Sequence, residues 1–171
     1  MGQKTTPLGA VGRGLVAGAA GTAVMDLVWY SRYRRGGGKD GFVDWEFSGG
    51  IDSWEEAPAP AQVAKRVTEG FLQKEVPVDR APMMNNAVHW SYGMLWGALY
   101  GIAAGSLRKA PATYGLILGP IVWSGAYAIL PLAKLYEPMW RYDAKTLAKD
   151  LSAHVAYGVG TAGAFRLFLG K

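Results

Sequence analysis

The stretch NAVHWSYGMLWGALYGIAAGSL, residues 86–107, contains no Lys, Arg, Asp or Glu. A helix in a soluble protein rarely stays uncharged for so long, whereas roughly 20 apolar residues are needed to cross a hydrocarbon core of about 30 Å. A second uncharged stretch covers 110–133, and two other apolar stretches carry few ionisable residues. We therefore predict an all-α integral membrane protein with a single membrane domain over 1–171. Its four transmembrane helices are predicted at about 7–30, 84–107, 112–133 and 151–169.

Composition excludes several other classes of protein. Charged residues make up 18% of the 171 residues, which is below the usual quarter of a soluble domain. Cysteine is absent, so disulfides, thiol catalysis, iron–sulfur clusters and cysteine zinc sites are excluded. The pI is near 9.5, but the basic residues flank the apolar stretches, so we expect no nucleic-acid partner. The first apolar stretch runs into WYSRYRR at 29–35, which is typical of a stop-transfer sequence and not of a cleaved signal peptide.

The distribution of basic residues predicts the orientation in the bilayer. Of the 18 Lys and Arg residues, eight lie in 32–82 and four in 134–150. The positive-inside rule places these two connections in the cytoplasm and both termini outside, and we expect the bacterial inner membrane. Within 32–82, apolar residues recur every four positions and predict an amphipathic interfacial helix at about 61–75. The acidic residues of this connection are expected to be solvated.

Two histidines stand in the same local pattern, HWSYG at 89–93 and HVAYG at 154–158. Both pentapeptides lie near the start of a predicted span that follows a cytoplasmic connection. The pairing suggests an internal duplication of two helical hairpins in parallel orientation, related by a pseudo-twofold axis along the membrane normal. Outside these five residues the sequence similarity between the two hairpins is weak.

Glycines recur at helical spacing within the predicted spans. In lipid, helices associate through close packing, and small residues spaced four apart let two backbones approach each other. We expect such ridges to face neighbouring helices, which makes GxxxG packing the main contact of the bundle. The predicted packing positions are Gly14, Gly18, Gly93, Gly97, Gly101, Gly105, Gly115, Gly119 and Gly158.

The candidate site is a polar layer near the cytoplasmic boundary. Asp26, about one turn before the end of the first span, should lie at the depth of His89 and His154, with Tyr92 and Tyr157 close by. An ionisable residue inside a span costs about 2.5 kcal/mol or more, so it is a functional candidate by default. The layer fits a structural clasp, a proton or ion relay, or an iron or zinc site. We expect no cofactor; a metal ion or a haem held by His89 and His154 is the alternative.

A second candidate patch lies in the connection before the last span. There, cationic and aromatic side chains suit an interfacial helix at 130–151 that contacts lipid headgroups. The residues that carry this prediction are Lys134, Trp140, Arg141 and Lys145.

The order of motifs from His89 to about Phe168 resembles the YagU-like family of small bacterial inner-membrane proteins. The resemblance rests on HWSYG, GLILGP, LPLAKLYEPMW and LSAHVAYG and covers under half of the chain. It implies an integral inner-membrane protein, for which a role in acid tolerance has been suggested, and it supplies no catalytic residues. The matching positions are His89, Gly119, Pro131, Leu135, Pro138, Trp140 and His154.

The chain has no Walker loop, nucleophile elbow or HExxH motif, so we expect no enzyme. The predicted function is that of a small membrane accessory or interaction protein, in a larger complex or as a homo-oligomer. Its expected partners are membrane lipids and other membrane subunits or copies of itself. The alternative is a proton-, ion- or metal-handling protein that uses Asp26, His89 and His154.

Overall fold

The computed structural model describes residues 6–48, 51–107 and 111–168. This part of the chain is all-helical, as the sequence predicts, and contains no β-strand. Short 3-10 turns occupy Val78–Arg80, Ala112–Tyr114 and Met139–Arg141. The six α-helices are α1 Pro7–Arg35, α2 Phe42–Ser48, α3 Ala59–Leu72, α4 Ala81–Ser106, α5 Gly115–Ile129 and α6 Ala144–Phe168.

The first helix, α1, is the longest element, and its sequence defines both of its ends. The Thr6 hydroxyl accepts a hydrogen bond from the Gly9 amide at 3.1 Å, and Pro7 fills the first helical position, where no amide donor is needed. The last turn carries three arginines, whose positive charges interact favourably with the negative end of the helix dipole.

The long helices form an open row. Helix α1 packs against α4 on one side and α6 on the other, and α5 packs on α6, so the order is α4, α1, α6, α5. Helix α3 packs on α4. A closed bundle with the predicted pseudo-twofold axis would also bring α4 against α5, but these helices share no contact of similar extent. The two hairpins are therefore arranged side by side in the described part of the chain.

Glycines make the contact between α1 and α4. Gly14 and Gly18 face Gly93 and Gly97 so closely that a Cβ on Gly97 would lie within 3.0 Å of the Gly18 backbone. Main chain therefore packs on main chain in this region, as expected for helices that associate without a hydrophobic driving force. All nine glycines predicted to pack lie against another helix: Gly14 and Gly18 on α1, Gly93, Gly97, Gly101 and Gly105 on α4, Gly115 and Gly119 on α5, and Gly158 on α6.

One of these contacts recurs along the chain. The nearest atoms to a Cβ on Gly18 are the Gly93 carbonyl oxygen and the Met94 Cα. For Gly115 on α5, two of the three nearest atoms are the Gly158 carbonyl oxygen and the Val159 Cα, which lie 65 residues later, the same offset as the two His-x-x-Tyr-Gly motifs. An internal duplication predicts such a repeated contact.

Many of the buried side chains are small and many large apolar side chains lie on the outside, although Leu118, Val122 and Phe165 are buried. Ala17 and Ala153 are fully buried, whereas Leu95 is 56% exposed and Ile117 58% exposed. Soluble proteins usually show the opposite distribution. Other large apolar side chains on the outer surface of the long helices are Val16, Leu27, Leu99, Ile102, Leu116, Ile121 and Ile129.

By length and composition, α1 is the one helix in the described part of the chain that qualifies as a membrane span. Helix α5 is apolar but has only 15 residues. Helix α4 is long enough, but its glycines, its aromatic residues and His89 lower its mean hydropathy. Helix α6 begins with charged residues before its apolar part.

All four long helices differ from the predicted bounds. Helix α1 continues to Arg35, past the predicted end at 30. Helix α6 begins at Ala144 and not at 151, because the Asp143 carboxylate accepts the Thr146 amide at 3.0 Å and caps the helix there. Helix α5 ends at Ile129 and not at 133, because Pro131 leads into turns and Lys134 is left-handed at φ 54°. Helix α4 starts at Ala81, since a proline in the first turn is tolerated. The predicted last residue of the fourth span, 169, lies outside the described residues.

The connections also contain more and different helix than predicted. The amphipathic helix is observed as α3, Ala59–Leu72, close to the predicted 61–75. Helix α2 lies in a connection for which the sequence predicts no other helix than the one at 61–75. The segment 130–151 is not one interfacial helix, because it consists of turns around Pro131 and Pro138 followed by the start of α6.

Gly97→Ala tests whether backbone contact holds α1 to α4. We expect it to lower the free energy of unfolding by about 2 kcal/mol, because the new methyl group meets the main chain of α1 and neither helix can retract easily. Gly12→Ala is the matched control: nothing lies within 4 Å of a Cβ there, and alanine favours the helix by up to about 1 kcal/mol. The measurement is denaturant unfolding in detergent, followed by circular dichroism. Equal stability of both variants would refute the contact.

Candidate functional site

Asp26 and His89 form a buried pair between α1 and α4. The His89 Nε2 atom lies 2.9 Å from Asp26 Oδ1. Asp26 is 4% exposed, and its second carboxylate oxygen, Oδ2, is buried with no hydrogen-bond partner. A buried carboxylate oxygen without a partner is costly, so this group requires an explanation beyond helix packing.

The structure does not bring His154 to this pair. Its Nδ1 atom lies 3.0 Å from the Asp150 carbonyl oxygen and 3.3 Å from Asp150 Oδ1, one turn earlier on α6. A carbonyl oxygen only accepts, so Nδ1 carries the proton. In the described residues no three metal-ligating side chains come together, so the alternative of a metal ion held by Asp26, His89 and His154 gains no support. His154 instead bonds within α6, and its carbonyl packs on Gly119 of α5.

The two tyrosines of the repeated motif have different environments. Tyr157 is 3% exposed and donates its hydroxyl to the Gly93 carbonyl at 2.6 Å, so it links α6 to the His89 motif on α4. Tyr92 is 39% exposed on the outer side of α4 and packs edge-on against Trp96. Tyr157 therefore belongs to the buried layer and Tyr92 does not.

Helix α2 packs on α4 next to the pair, and sequence reasoning missed this. Trp90 Nε1 donates to Glu46 Oε1 at 3.0 Å, and the Asn86 side chain donates to the Glu46 carbonyl at 2.7 Å. Burial raises the pKa of Glu46, and the negative charge of Asp26 raises it further, whereas the bond from Trp90 and the charge of His89 lower it. The expectation that all acidic residues of this connection are solvated is wrong for Glu46. The available sequence signal was its place between Trp45 and Phe47, two aromatic residues in a polar connection.

The residues predicted to contact lipid headgroups all lie in the connection between α5 and α6 and at the start of α6. Trp140 is 84% exposed, and Lys134 and Lys145 are also exposed. Arg141 forms an exposed ion pair with Glu137 at 2.9 Å. These side chains do not converge on one point, so they provide a charged and aromatic rim and not a single binding site.

Both charged connections lie at the same end of the bundle. The Arg32 guanidinium at the end of α1 donates to the Lys149 carbonyl at 2.8 Å and to Ser152 Oγ at 2.7 Å on α6. Arg66 on α3 donates to the Ala133 carbonyl after α5. The candidate pair, helix α2 and the basic residues therefore share one face of the protein.

The arrangement suits proton exchange more than any other chemistry considered. A histidine paired with a carboxylate can hold a proton in either of two places, and Glu46 is close enough for the charges of both residues to act on it. Comparison of the chain with protein-family models, with curated proteins and with solved structures finds no match. The pair of Asp26 and His89 is thus the feature from which a function can be inferred.

Proposed function

We propose that the chain is a non-enzymatic, multi-pass protein of the bacterial inner membrane, with α1, α4, α5 and α6 as its four spans. The supporting observation is the distribution of side chains: alanine and glycine line the helix contacts, and many leucine, isoleucine and valine side chains of the long helices are exposed. Lipid tails solvate the exposed side chains, whereas water would not. Helix α5, about 22 Å long, reaches across a core of roughly 30 Å together with the turns that flank it.

The proposed orientation puts both large connections in the cytoplasm. They share one end of the bundle and hold twelve of the 18 basic residues, eight in 32–82 and four in 134–150. The short connection after α4 lies at the opposite end, together with the N-terminus of α1.

Substituted-cysteine labelling tests this topology without background, because the chain has no cysteine. Glu55→Cys and Thr113→Cys both place the thiol at exposed positions, one in each kind of connection. We expect a membrane-impermeant maleimide to label Thr113→Cys in cells with a permeabilised outer membrane, and Glu55→Cys only in inverted vesicles. Labelling of both variants from one side would contradict the four-span topology, and recovery of the protein in the aqueous fraction would contradict the membrane location.

The function we propose is proton handling by Asp26 and His89. The observation that carries it is the buried Oδ2 of Asp26, which has no partner and can accept a proton. His89 touches the other carboxylate oxygen and is 24% exposed at its side chain, so it connects the buried group to its surroundings. Glu46 is close enough for the charges of both residues to act on its pKa. The three groups form a sequence from the cytoplasmic surface to the interior.

The resemblance to YagU-like proteins points in the same direction, because acid tolerance has been suggested for that family. A protein that takes up protons at the cytoplasmic side of the membrane is chemically suited to such a role. The two histidines of the repeated motif differ in their carboxylate partners. His89 contacts Asp26 on another helix, whereas His154 contacts Asp150 on its own helix.

Proton handling predicts that Asp26→Asn and His89→Gln each abolish proton uptake in proteoliposomes that contain a pH-sensitive dye. Asp26→Asn keeps the shape of the side chain, His89→Gln keeps a polar group that can form hydrogen bonds, and both changes remove the group that binds the proton. His154→Gln is the matched control and should retain uptake, since that ring bonds within α6. The measured quantity is the dye response to an acid pulse, with circular dichroism to verify folding. Uptake by folded His89→Gln at the level of the unmodified protein would disprove the role.

A second candidate function, self-association, is favoured by the open row. Helix α1 contacts two long helices, α4 and α6, whereas its equivalent α5 contacts only α6 to a similar extent in the described part of the chain. The side of α5 that has no partner exposes Ile121. In the α1–α6 contact, Val24 packs on Gly160. In the repeated glycine contact, α5 residues follow their α1 equivalents by 97 positions, and α6 residues follow their α4 equivalents by 65. By these offsets Val24 corresponds to Ile121 and Gly160 to Leu95. Both Ile121 and Leu95 are exposed. Helix α5 of one copy can therefore pack on α4 of the next.

Cysteine cross-linking tests this association directly. A chain with Ile121→Cys and Leu95→Cys should form disulfide-linked dimers and larger species in the membrane on oxidation. Pairing Ile129→Cys with Leu95→Cys is the control, because Ile129 lies two turns along α5 and should give no product. Absence of cross-links with co-purification of a different protein at fixed stoichiometry would assign the exposed face to another subunit and refute self-association.

A further inference from the structure

A cavity of about 440 Å³ opens between the ends of α1, α5 and α6, outside the Asp26–His89 pair. Its size falls within the range of about 300–1,000 Å³ that is usual for ligand sites. It lies at the proposed cytoplasmic boundary, next to the bonds that Arg32 makes to α6. The lining residues are Trp29, Tyr127, Tyr136, Tyr142, Thr146, Lys149 and Asp150.

Three tyrosines form one wall of this cavity. The ring centroid of Tyr127 lies 5.3 Å from that of Tyr136 and 5.4 Å from that of Tyr142. The ring centroids of Tyr136 and Tyr142 are 6.3 Å apart. The rings meet at steep angles and not as parallel stacks. The Tyr142 hydroxyl is fixed by a bond from the Glu137 amide at 3.1 Å. The wall is therefore built from rings whose positions are set by their neighbours.

Asp150 adds a negative charge to this aromatic wall. Its carboxylate is only partly exposed and contacts His154 at 3.3 Å. Burial and the charge of Asp150 raise the pKa of Tyr136 to about 12, so the Tyr136 hydroxyl stays neutral. Aromatic faces combined with a carboxylate are the usual environment of a bound ammonium group.

Two cations stand beside the same cavity. Lys149 lines it and is exposed, and the Arg32 guanidinium lies 4.7 Å from the ring centroid of Trp29. A lone organic cation would be repelled by these charges. A ligand that carries both a phosphate and an ammonium group would complement them, with the phosphate toward Lys149 and Arg32 and the ammonium toward the tyrosines and Asp150.

We propose that this cavity binds a zwitterionic phosphate–ammonium group of the phosphoethanolamine or phosphocholine class. The group can come from a phospholipid headgroup or from a free phosphomonoester. The lipid source depends on the membrane location proposed above, and the free source does not. The exposed residues Trp140 and Lys145 flank the site but do not line it.

Titration calorimetry of lipid-free protein in detergent tests the chemistry of the group. Phosphocholine and phosphoethanolamine are the probes, and glycerol 3-phosphate is the comparator that lacks an ammonium group. We expect the comparator to bind at least about tenfold more weakly, because it cannot use the aromatic wall. Tyr136→Leu and Asp150→Asn should each weaken phosphocholine by about tenfold. Trp140→Leu and Glu137→Gln, in the same connection, are the controls and should leave the affinity unchanged.

Native mass spectrometry from nanodiscs with equal phosphatidylethanolamine and phosphatidylglycerol tests the source. Preferential retention of phosphatidylethanolamine, lost in Tyr136→Leu, assigns a lipid ligand; binding of the free probes without this preference assigns a phosphomonoester. Equal affinity for glycerol 3-phosphate, or no binding in either experiment, would overturn the proposal. Recovery of folded protein in the nanodiscs, verified by circular dichroism, separates such a result from failure of the membrane location.

Discussion

Direct contact between helix backbones is the constraint on which the rest of the structure depends. Helix α1 meets the main chain of α4 directly at Gly14 and Gly18, and at Gly21 it meets the Thr161 side chain and the Tyr157 carbonyl of α6. This proximity brings Asp26 within hydrogen-bond distance of His89. It also leaves the large apolar side chains to the outside, which supports the proposed membrane environment.

The polar layer follows from the same geometry. A wider separation of α1 and α4 would admit water to Asp26. Its unpartnered oxygen would then be hydrated like that of any exposed carboxylate. Tyr157 on α6 completes the enclosure by donating its hydroxyl to the Gly93 carbonyl of α4. Tight packing and the proposed proton site are therefore two aspects of one arrangement.

Helix content and the glycine contacts could be predicted because both are periodic in the sequence. Helical phase correctly placed His89 on the glycine ridge of α4 and at the depth of Asp26. The partner of each histidine is not periodic, so the sequence suggested a layer with both histidines, whereas His154 bonds to Asp150 on its own helix. The role of Glu46 was missed for a similar reason, since only the folded chain shows α2 against α4. The cavity beside Asp150 depends on residues from α1, α5 and α6 and has no local sequence signal.

The central position of α1 has a consequence for biosynthesis. The chain is made from its N-terminus, and His89 follows Asp26 by 63 residues. In the proposed membrane, Asp26 therefore enters the bilayer before its partner has been synthesised, and both glycine faces of α1 meet lipid until α4 and α6 arrive. The newly inserted first span is an intermediate with an unpaired acid, and its retention depends on the arginines that anchor its cytoplasmic end.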